Sequence, residues 1–142
     1  MDLFSVFTTV LATVLGSVAI ALVNDYIRTR RRRRNFLSAL YTEIMSNSVL
    51  AKRLMAGWET VFEILPFHAG AYTNAMASGM LTGLPSSIVD NLEEVYELIS
   101  MHNRQTLVLQ SEFIPRDRGY KERITSISQK LDFLKENLLG TF

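Results

Sequence analysis

Residues 3–23 read LFSVFTTVLATVLGSVAIALV, and the basic run RTRRRRR follows at residues 28–34. The first stretch has 21 residues and no charged side chain. As a helix it would be about 30 Å long, which is the thickness of the hydrocarbon core of a bilayer. Its Ser and Thr hydroxyls can bond to carbonyls of their own helix, so lipid tolerates them. The stretch therefore predicts an N-terminal transmembrane helix.

A cleaved signal peptide is the competing interpretation of residues 3–23. A signal peptide carries its basic residues before a short apolar run and ends at a small-residue cleavage site. Here the apolar run is long and the basic residues follow it, since only Asp2 is charged on the other side. A retained membrane anchor is the preferred interpretation.

The basic run predicts the orientation of this anchor. Its six arginines are Arg28, Arg30, Arg31, Arg32, Arg33 and Arg34. Because cytoplasmic flanks of membrane spans are enriched in Lys and Arg, we expect a cell (inner) membrane protein with a short N-terminus outside and residues 35–142 in the cytoplasm. The same arginines should attract the anionic headgroups of the lipid bilayer. Nucleic acid is the alternative ligand for such a cluster, although the position beside a span explains the cluster without it.

Small residues form a stripe along one face of the predicted span. The stripe consists of Ser5, Thr9, Ala12, Gly16 and Ala19. Small side chains at these spacings let two helix backbones approach closely, so the stripe predicts a transmembrane association face. The alternative is that apolar spans are generally rich in Ala, Gly, Ser and Thr.

Charge divides the chain in the same way as hydropathy. Residues 1–34 carry six Arg and two Asp, net +4, whereas residues 35–142 carry nine basic and twelve acidic side chains, net −3. We predict a transmembrane anchor over 1–23, a basic juxtamembrane segment over 24–35 and a cytosolic helical domain over 36–142.

Three stretches of the predicted cytosolic domain have apolar residues at alternating spacings of three and four, which is the heptad pattern of amphipathic helices. They predict helices over 36–64, 86–113 and 120–138, the first continuing directly out of the membrane. The seams are Leu37, Tyr41, Ile44, Ser48, Ala51, Met55, Trp58 and Phe62, then Ile88, Leu92, Val95, Ile99, His102, Thr106, Leu109 and Phe113, and finally Tyr120, Ile124, Ile127, Leu131, Leu134 and Leu138. The first seam is widened by Leu40, Leu50, Leu54 and Val61.

Gly, Pro and Thr residues predict where these helices begin and end. We expect a short extra helix over 73–78, capped by Thr73 and closed by Gly79. A break is expected over 114–119, and Gly140 is the expected C-cap of the last helix. The predicted fold is all-α: an N-terminal transmembrane helix followed by an antiparallel three-helix bundle, or by a long helical hairpin, with a short extra helix. A second copy of the chain could also complete the seams.

One stretch of the sequence resembles a known group of proteins. It is YTNAMASGMLTGLP at residues 72–85, followed by Leu92, Val95, Tyr96, Ile99 and Asn103. Together with Asn47 in the long helix, this pattern resembles a loose group of uncharacterised prokaryotic single-pass membrane proteins with a cytosolic helical-bundle domain. The resemblance covers roughly residues 3–110 and implies a shared fold and membrane location. It implies no activity, because none is known for that group.

The sequence offers little for catalysis or metal binding. The absence of Cys excludes disulfides and thiolate ligands, and no His-Glu-x-x-His pair, phosphate loop or Gly-x-Ser-x-Gly elbow occurs. His102 lies on an apolar seam and is predicted to be a hydrogen-bonded core residue. His68 could meet Glu59 or Glu63, but one His with one carboxylate is not a metal site. We therefore predict no catalytic residues, no metal, no cofactor and no enzymatic activity.

Four other polar or aromatic residues are predicted to be structural rather than ligand-binding. Trp58 and Tyr96 lie on or beside seams, where their rings should pack in the core with their polar tips bonded. Asn47 and Asn103 flank seams, where an amide could fix the register of two helices.

These observations favour a membrane-anchored, non-enzymatic interaction module: an accessory subunit, scaffold or adaptor with a protein partner or a second copy of itself. Binding of anionic lipid or nucleic acid through the arginines is one alternative. A small membrane-disrupting protein is another, which the large acidic helical part makes less favourable. No small-molecule substrate is indicated.

Overall fold

The computed structural model describes residues 2–56, 65–109 and 118–141. Within these ranges helix accounts for 89% of the residues and no strand occurs, which confirms the all-α prediction. The elements in chain order are α1 (Leu3–Ala56), α2 (Gly70–Ser78), α3 (Ser86–Leu109), α4 (Arg118–Leu138) and a short 3-10 helix (Leu139–Thr141).

Helix α1 runs without interruption from the apolar stretch through the arginines and beyond. No Gly or Pro lies between Val23 and Phe36, so nothing in the sequence stops the helix there. The expected continuation is confirmed. Contacts divide the chain into two units, Met1–Asn35 and Phe36–Phe142, called here the N-terminal and C-terminal units.

The N-terminal unit carries the apolar part of α1. An 18-residue window there has a mean hydropathy of 2.3, and none of it is buried. Within the described ranges it is the one helix long and apolar enough to cross a membrane, a test that a signal sequence also passes. As predicted, hydroxyl groups of this stretch donate hydrogen bonds to backbone carbonyls three or four residues earlier. The donors are Thr8, Thr9, Thr13 and Ser17.

The C-terminal unit has a core to which all four α-helices contribute. On α1 the buried line differs from the predicted seam. Tyr41 is only half-buried and Met55 is 40% exposed, whereas Leu40 and Leu54, which were predicted to widen the seam, are buried. The fully or nearly buried residues of α1 are Leu37, Leu40, Ile44, Asn47, Ser48, Ala51 and Leu54. The predicted positions Trp58 and Phe62 lie outside the described residues.

The seams of α3 and α4 are confirmed where they are described. Every seam residue from Ile88 to Thr106 is buried, and so is every one from Tyr120 to Leu138. Phe113 lies outside the described residues. Polar contacts join the helices at two levels, Glu94 with Lys130 and Gln105 with Arg123.

Three predicted boundaries are wrong in detail. The short helix begins at Gly70 rather than at residue 73, and Thr73 is not its cap but lies inside it, donating its hydroxyl to the carbonyl of Ala69. Residues 118 and 119 of the expected break already belong to α4. Gly140 is not a left-handed cap, because α4 tightens into the 3-10 turn that contains it. Gly79, in contrast, closes α2 at φ 66° as predicted.

Candidate functional site

The six arginines of the basic run lie on α1, and their side chains are all exposed. At 3.6 residues per turn they surround the helix, leaving no angular gap wider than about 100°. The run therefore has no single basic face. We call these six residues the arginine collar.

The small-residue stripe also lies on the exposed surface of α1. Each of its five members is exposed, and a Cβ atom added at Gly16 would meet nothing within 4 Å. The backbone of α1 is therefore accessible along this stripe, in the middle of the apolar stretch.

The Glu43 carboxylate on α1 accepts three hydrogen bonds within the C-terminal unit. Its Oε2 accepts the amide N–H of Ala71 at 2.7 Å, and its Oε1 accepts the amide N–H of Tyr72 at 3.1 Å. The hydroxyl of Tyr96 donates to the same Oε1 at 2.7 Å. Ala71 and Tyr72 are the second and third residues of α2.

Glu43 supplies a cap that the sequence of α2 lacks. The residue before α2 is Ala69, which has no side-chain acceptor for the orphan amides of the first turn. The Glu43 carboxylate takes over this role from another helix, and its negative charge is favourable at a helix N-terminus. Sequence reasoning missed this role because a cap is normally sought a few residues away, and Glu43 lies 28 residues before Ala71.

Two asparagines bind the backbone just before α2. The Asn103 amide accepts from the N–H and donates to the C=O of Phe67, both at 2.8 Å. The Asn47 amide makes the same pair of bonds to His68, at 2.9 and 2.7 Å. Asn47 on α1 and Asn103 on α3 thus each bind the N–H and C=O groups of one of two consecutive residues. The two asparagines were predicted to fix the register of two helices directly. They instead bind the backbone segment that precedes α2.

His102 lies beneath the same segment. Its Nε2 is 3.1 Å from the Leu65 carbonyl oxygen, which makes Nε2 the protonated nitrogen of the neutral ring. The ring packs edge-on against Phe67 and beside Tyr120, and its Nδ1 has no hydrogen-bond partner within the described ranges. Burial lowers the pKa of His102. The prediction of a hydrogen-bonded core histidine is confirmed.

Tyr96 and Tyr72 form a stacked pair next to Glu43. Their ring centroids are 4.1 Å apart and the planes differ by 7°. Burial raises the pKa of Tyr96, and the hydrogen bond to the Glu43 carboxylate raises it further. The pKa of Tyr72 is also raised, first by burial and then by the charge of Glu93. Both phenols therefore stay protonated at neutral pH.

A second polar group joins α1 to α4. The Asp132 carboxylate accepts from the Ser48 hydroxyl at 2.9 Å and from the Lys52 ammonium at 3.0 Å. The hydrogen bond from Lys52 is the main reason that the pKa of Asp132 is lowered. Because the pair is partly exposed, it contributes little to the free energy of unfolding and mainly helps to orient α1 relative to α4.

These polar clusters connect parts of the protein to one another. The Glu43 oxygens and the two asparagine amides are occupied by backbone and tyrosine groups, and within the described ranges no three His, Asp or Glu residues converge to hold a metal ion. The predicted contact of His68 with Glu59 or Glu63 involves residues outside those ranges.

Three comparisons with known proteins were made. No family model, curated protein or solved structure matches the chain. The resemblance to prokaryotic single-pass membrane proteins therefore stays a prediction, and function has to be argued from the residues of this chain.

Proposed function

We propose that the protein is a single-pass membrane protein whose C-terminal unit is a non-enzymatic interaction module at the cytoplasmic face of the inner membrane. It would serve as an accessory subunit, scaffold or adaptor. The observation that carries the proposal is the unburied apolar window of α1, with its mean hydropathy of 2.3. Leaving so many large apolar side chains in water would be costly, and a bilayer removes that cost.

The finer part of the proposal is that α1, α3 and α4 of the C-terminal unit close as an antiparallel three-helix bundle. Polar pairs that support it link Glu43 to Tyr96, Ser48 to Asp132, and Glu94 to Lys130. On this arrangement the seams are completed within one chain, and a second copy is not needed for a core.

An interaction role is supported by what the C-terminal unit exposes. Its buried polar groups serve internal contacts, whereas Val49 on α1 is 64% exposed and Leu107 on α3 is 72% exposed. Exposed apolar side chains of this size are typical starting points for protein contacts when they belong to a larger patch. Val49 and Leu107 are therefore the first positions at which to test for a partner.

The anchoring proposal is tested by extraction and mass. Full-length protein expressed in bacterial cells should stay in the membrane pellet after alkaline carbonate treatment and keep its full mass of 16.1 kDa. Recovery in the soluble fraction after mild lysis would overturn the proposal. Loss of the first two dozen residues would instead identify a signal peptide.

Orientation is tested with cysteine labelling, which is clean because the chain has no native Cys. Asp2→Cys should react with an impermeant maleimide in intact spheroplasts. Gln129→Cys, at an exposed position of α4, should react only after permeabilisation. The reverse pattern would place the C-terminal unit outside.

The interaction role is tested by a photo-crosslinking residue at Val49, with Gln129 as the exposed polar control position. In native membranes we expect one discrete adduct from Val49 and none from Gln129. Equal, diffuse labelling from both positions would count against a specific partner on this face.

A further inference from the structure

We propose that the arginine collar selects anionic phospholipids from the leaflet at which the apolar part of α1 ends, so that the protein resides among lipids of negative headgroup. This inference rests on the proposed membrane anchoring and names the lipid partner of the N-terminal unit.

The first argument is axial distance along one helix. α1 is continuous from Leu3 to Ala56, so the collar cannot fold away from the apolar stretch. At 1.5 Å per residue, Arg28 lies about 8 Å beyond Val23 and Arg34 about 17 Å beyond it. The headgroup layer on each side of a bilayer is roughly 5–8 Å thick. The Cα atom of Arg28 therefore lies at the outer edge of the headgroup layer, and that of Arg34 lies about 10 Å outside it.

The second argument is the direction of the side chains. In an α-helix every Cα–Cβ bond tilts toward the N-terminus, so arginines that follow a span lean back toward the membrane. Their long apolar stems allow the guanidinium groups to reach the phosphates while covering apolar surface. A planar guanidinium can bond two phosphate oxygens at once, which suits it to this headgroup chemistry.

The third argument is the distribution of charge around the helix. A helix lying on a membrane surface needs its basic residues on one face. The collar instead surrounds the axis, which fits a helix that passes through a layer of headgroups and meets them on every side. Tyr26, 65% exposed and two residues before Arg28, stands where aromatic side chains typically mark the membrane interface.

The magnitude is large enough to sort lipids. Within residues 24–34 the six arginines outweigh Asp25, giving a net charge of +5 (six minus one). A basic side chain near an anionic surface gains attraction equivalent to about a fivefold preference for the charged lipid. Several such contacts acting together should enrich anionic lipid several-fold in the ring around α1.

The experiment uses full-length protein reconstituted in phosphatidylcholine vesicles. Ser38→Cys, an exposed position just beyond the collar, carries a donor dye. The vesicles contain a small, equal fraction of either phosphatidylglycerol or phosphatidylcholine with an acyl-chain acceptor dye. We expect several-fold greater energy transfer to the anionic lipid. This preference should shrink as salt is raised from about 0.1 M to about 1 M, because the screening length falls from about 10 Å to about 3 Å.

Two collar variants and one matched control define the cause. Replacing all six arginines with glutamine should reduce the ratio to about one, whereas six lysines should keep most of it, since near-surface attraction follows charge. Arg104→Gln combined with Lys121→Gln removes exposed charges from α3 and α4 and should leave the ratio unchanged. A preserved ratio in the six-glutamine protein would overturn the proposal.

Flotation of the same vesicles separates this proposal from the anchoring itself. A protein that floats and resists carbonate but shows no lipid preference would refute the collar while leaving the anchor intact. A protein that fails to float would refute the anchor. Salt-sensitive, arginine-dependent binding of duplex DNA or hairpin RNA, together with a lipid ratio of one, would overturn the lipid proposal in favour of nucleic acid.

Discussion

At the scale of single residues, a few side chains on α1 and α3 determine how the chain between residues 65 and 72 is held. Glu43 binds the first turn of α2, and Asn47 and Asn103 bind the peptide groups just before it. Each of these side chains satisfies backbone groups that burial would otherwise leave unpaired. The connection into α2 is therefore fixed by long-range side-chain bonds.

Substitution of Glu43 tests this role. Glu43→Gln keeps the shape but turns one acceptor oxygen into a donor, so at least one of three donors loses its partner. We expect a loss of about 2 kcal/mol in the free energy of unfolding. The amides of Ala71 and Tyr72 should also exchange faster with deuterium. Urea unfolding of full-length protein in mild detergent, followed by near-ultraviolet circular dichroism, measures the first effect.

The matched control is Glu97→Gln, which removes the same charge at an exposed site on α3. It should change stability by no more than about 0.5 kcal/mol. Equal effects of the two substitutions would mean that net charge, not the cap on α2, is responsible.

His102 gives the C-terminal unit a dependence on acid. Burial lowers its pKa in the folded protein, so below about pH 6.5 the unfolded chain binds a proton that the folded chain does not. The stabilisation is therefore present above that pH and is lost as pH falls. The free energy of unfolding should therefore decrease between pH 7 and 5.5. His102→Gln, which keeps a donor for the Leu65 carbonyl, should flatten this part of the urea-unfolding pH profile.

His68→Gln is the control for that measurement, because the His68 side chain is exposed. It should leave the slope as it is. If the slope disappears in His68→Gln and persists in His102→Gln, the pH dependence does not come from His102, and our explanation is wrong.

The residue scale also shows where sequence reasoning stops. Burial of His102 and bonding of the Tyr96 hydroxyl were predictable, because seam position and side-chain chemistry are local properties. The partner of Glu43 was not, because it lies 28 residues away and only the packed helices bring the two together. For Asn47 and Asn103, the sequence indicated a structural amide but could not show that its partner is a peptide group.

At the scale of elements, local sequence patterns predict the helices well and predict the helix ends less accurately. The seams of α3 and α4 were predicted correctly wherever their side chains are described, since regular spacing of apolar side chains decides which face is buried. On α1 the apolar stripe is wider, with Leu40, Leu50 and Leu54 beside the heptad positions. Spacing alone therefore did not decide which of two adjacent lines of residues is buried. The start of α2 was misplaced because its cap comes from Glu43.

The C-terminal end of α2 provides a test at this scale. Gly79 has φ 66°, and a Cβ atom there would meet nothing within 4 Å. Gly79→Ala should therefore cost about 1 kcal/mol from backbone strain alone, and Gly79→Asn less. Gly70→Ala is the matched control, because a Cβ there would lie 3.9 Å from the Glu43 Oε2 atom, an ordinary contact. At this helical position alanine should be neutral or slightly stabilising in the same urea unfolding.

At the scale of the whole molecule, the two units differ in how much of their apolar surface they bury. In the C-terminal unit, the seam residues of α3 and α4 whose side chains are described are buried. The N-terminal unit buries none of its apolar window, and under the proposed anchoring this window is covered by lipid or by another helix. If the full-length protein self-associates, the small-residue stripe is therefore the place to look.

Light scattering of full-length protein in mild detergent, with the stripe and an opposite face altered in turn, decides this question. Gly16→Leu adds a large side chain where nothing in the single chain obstructs it, so the monomer should fold unchanged. It should prevent close approach of two backbones and convert dimers to monomers, a loss of at least tenfold in association. Val14→Leu enlarges a different face by one methylene and should leave the protomer number unchanged. Dimers that survive Gly16→Leu would move the association to the C-terminal unit, where the exposed side chains of Val49 and Leu107 would be the next to alter. A wild-type monomer would instead leave the stripe free for a different membrane protein.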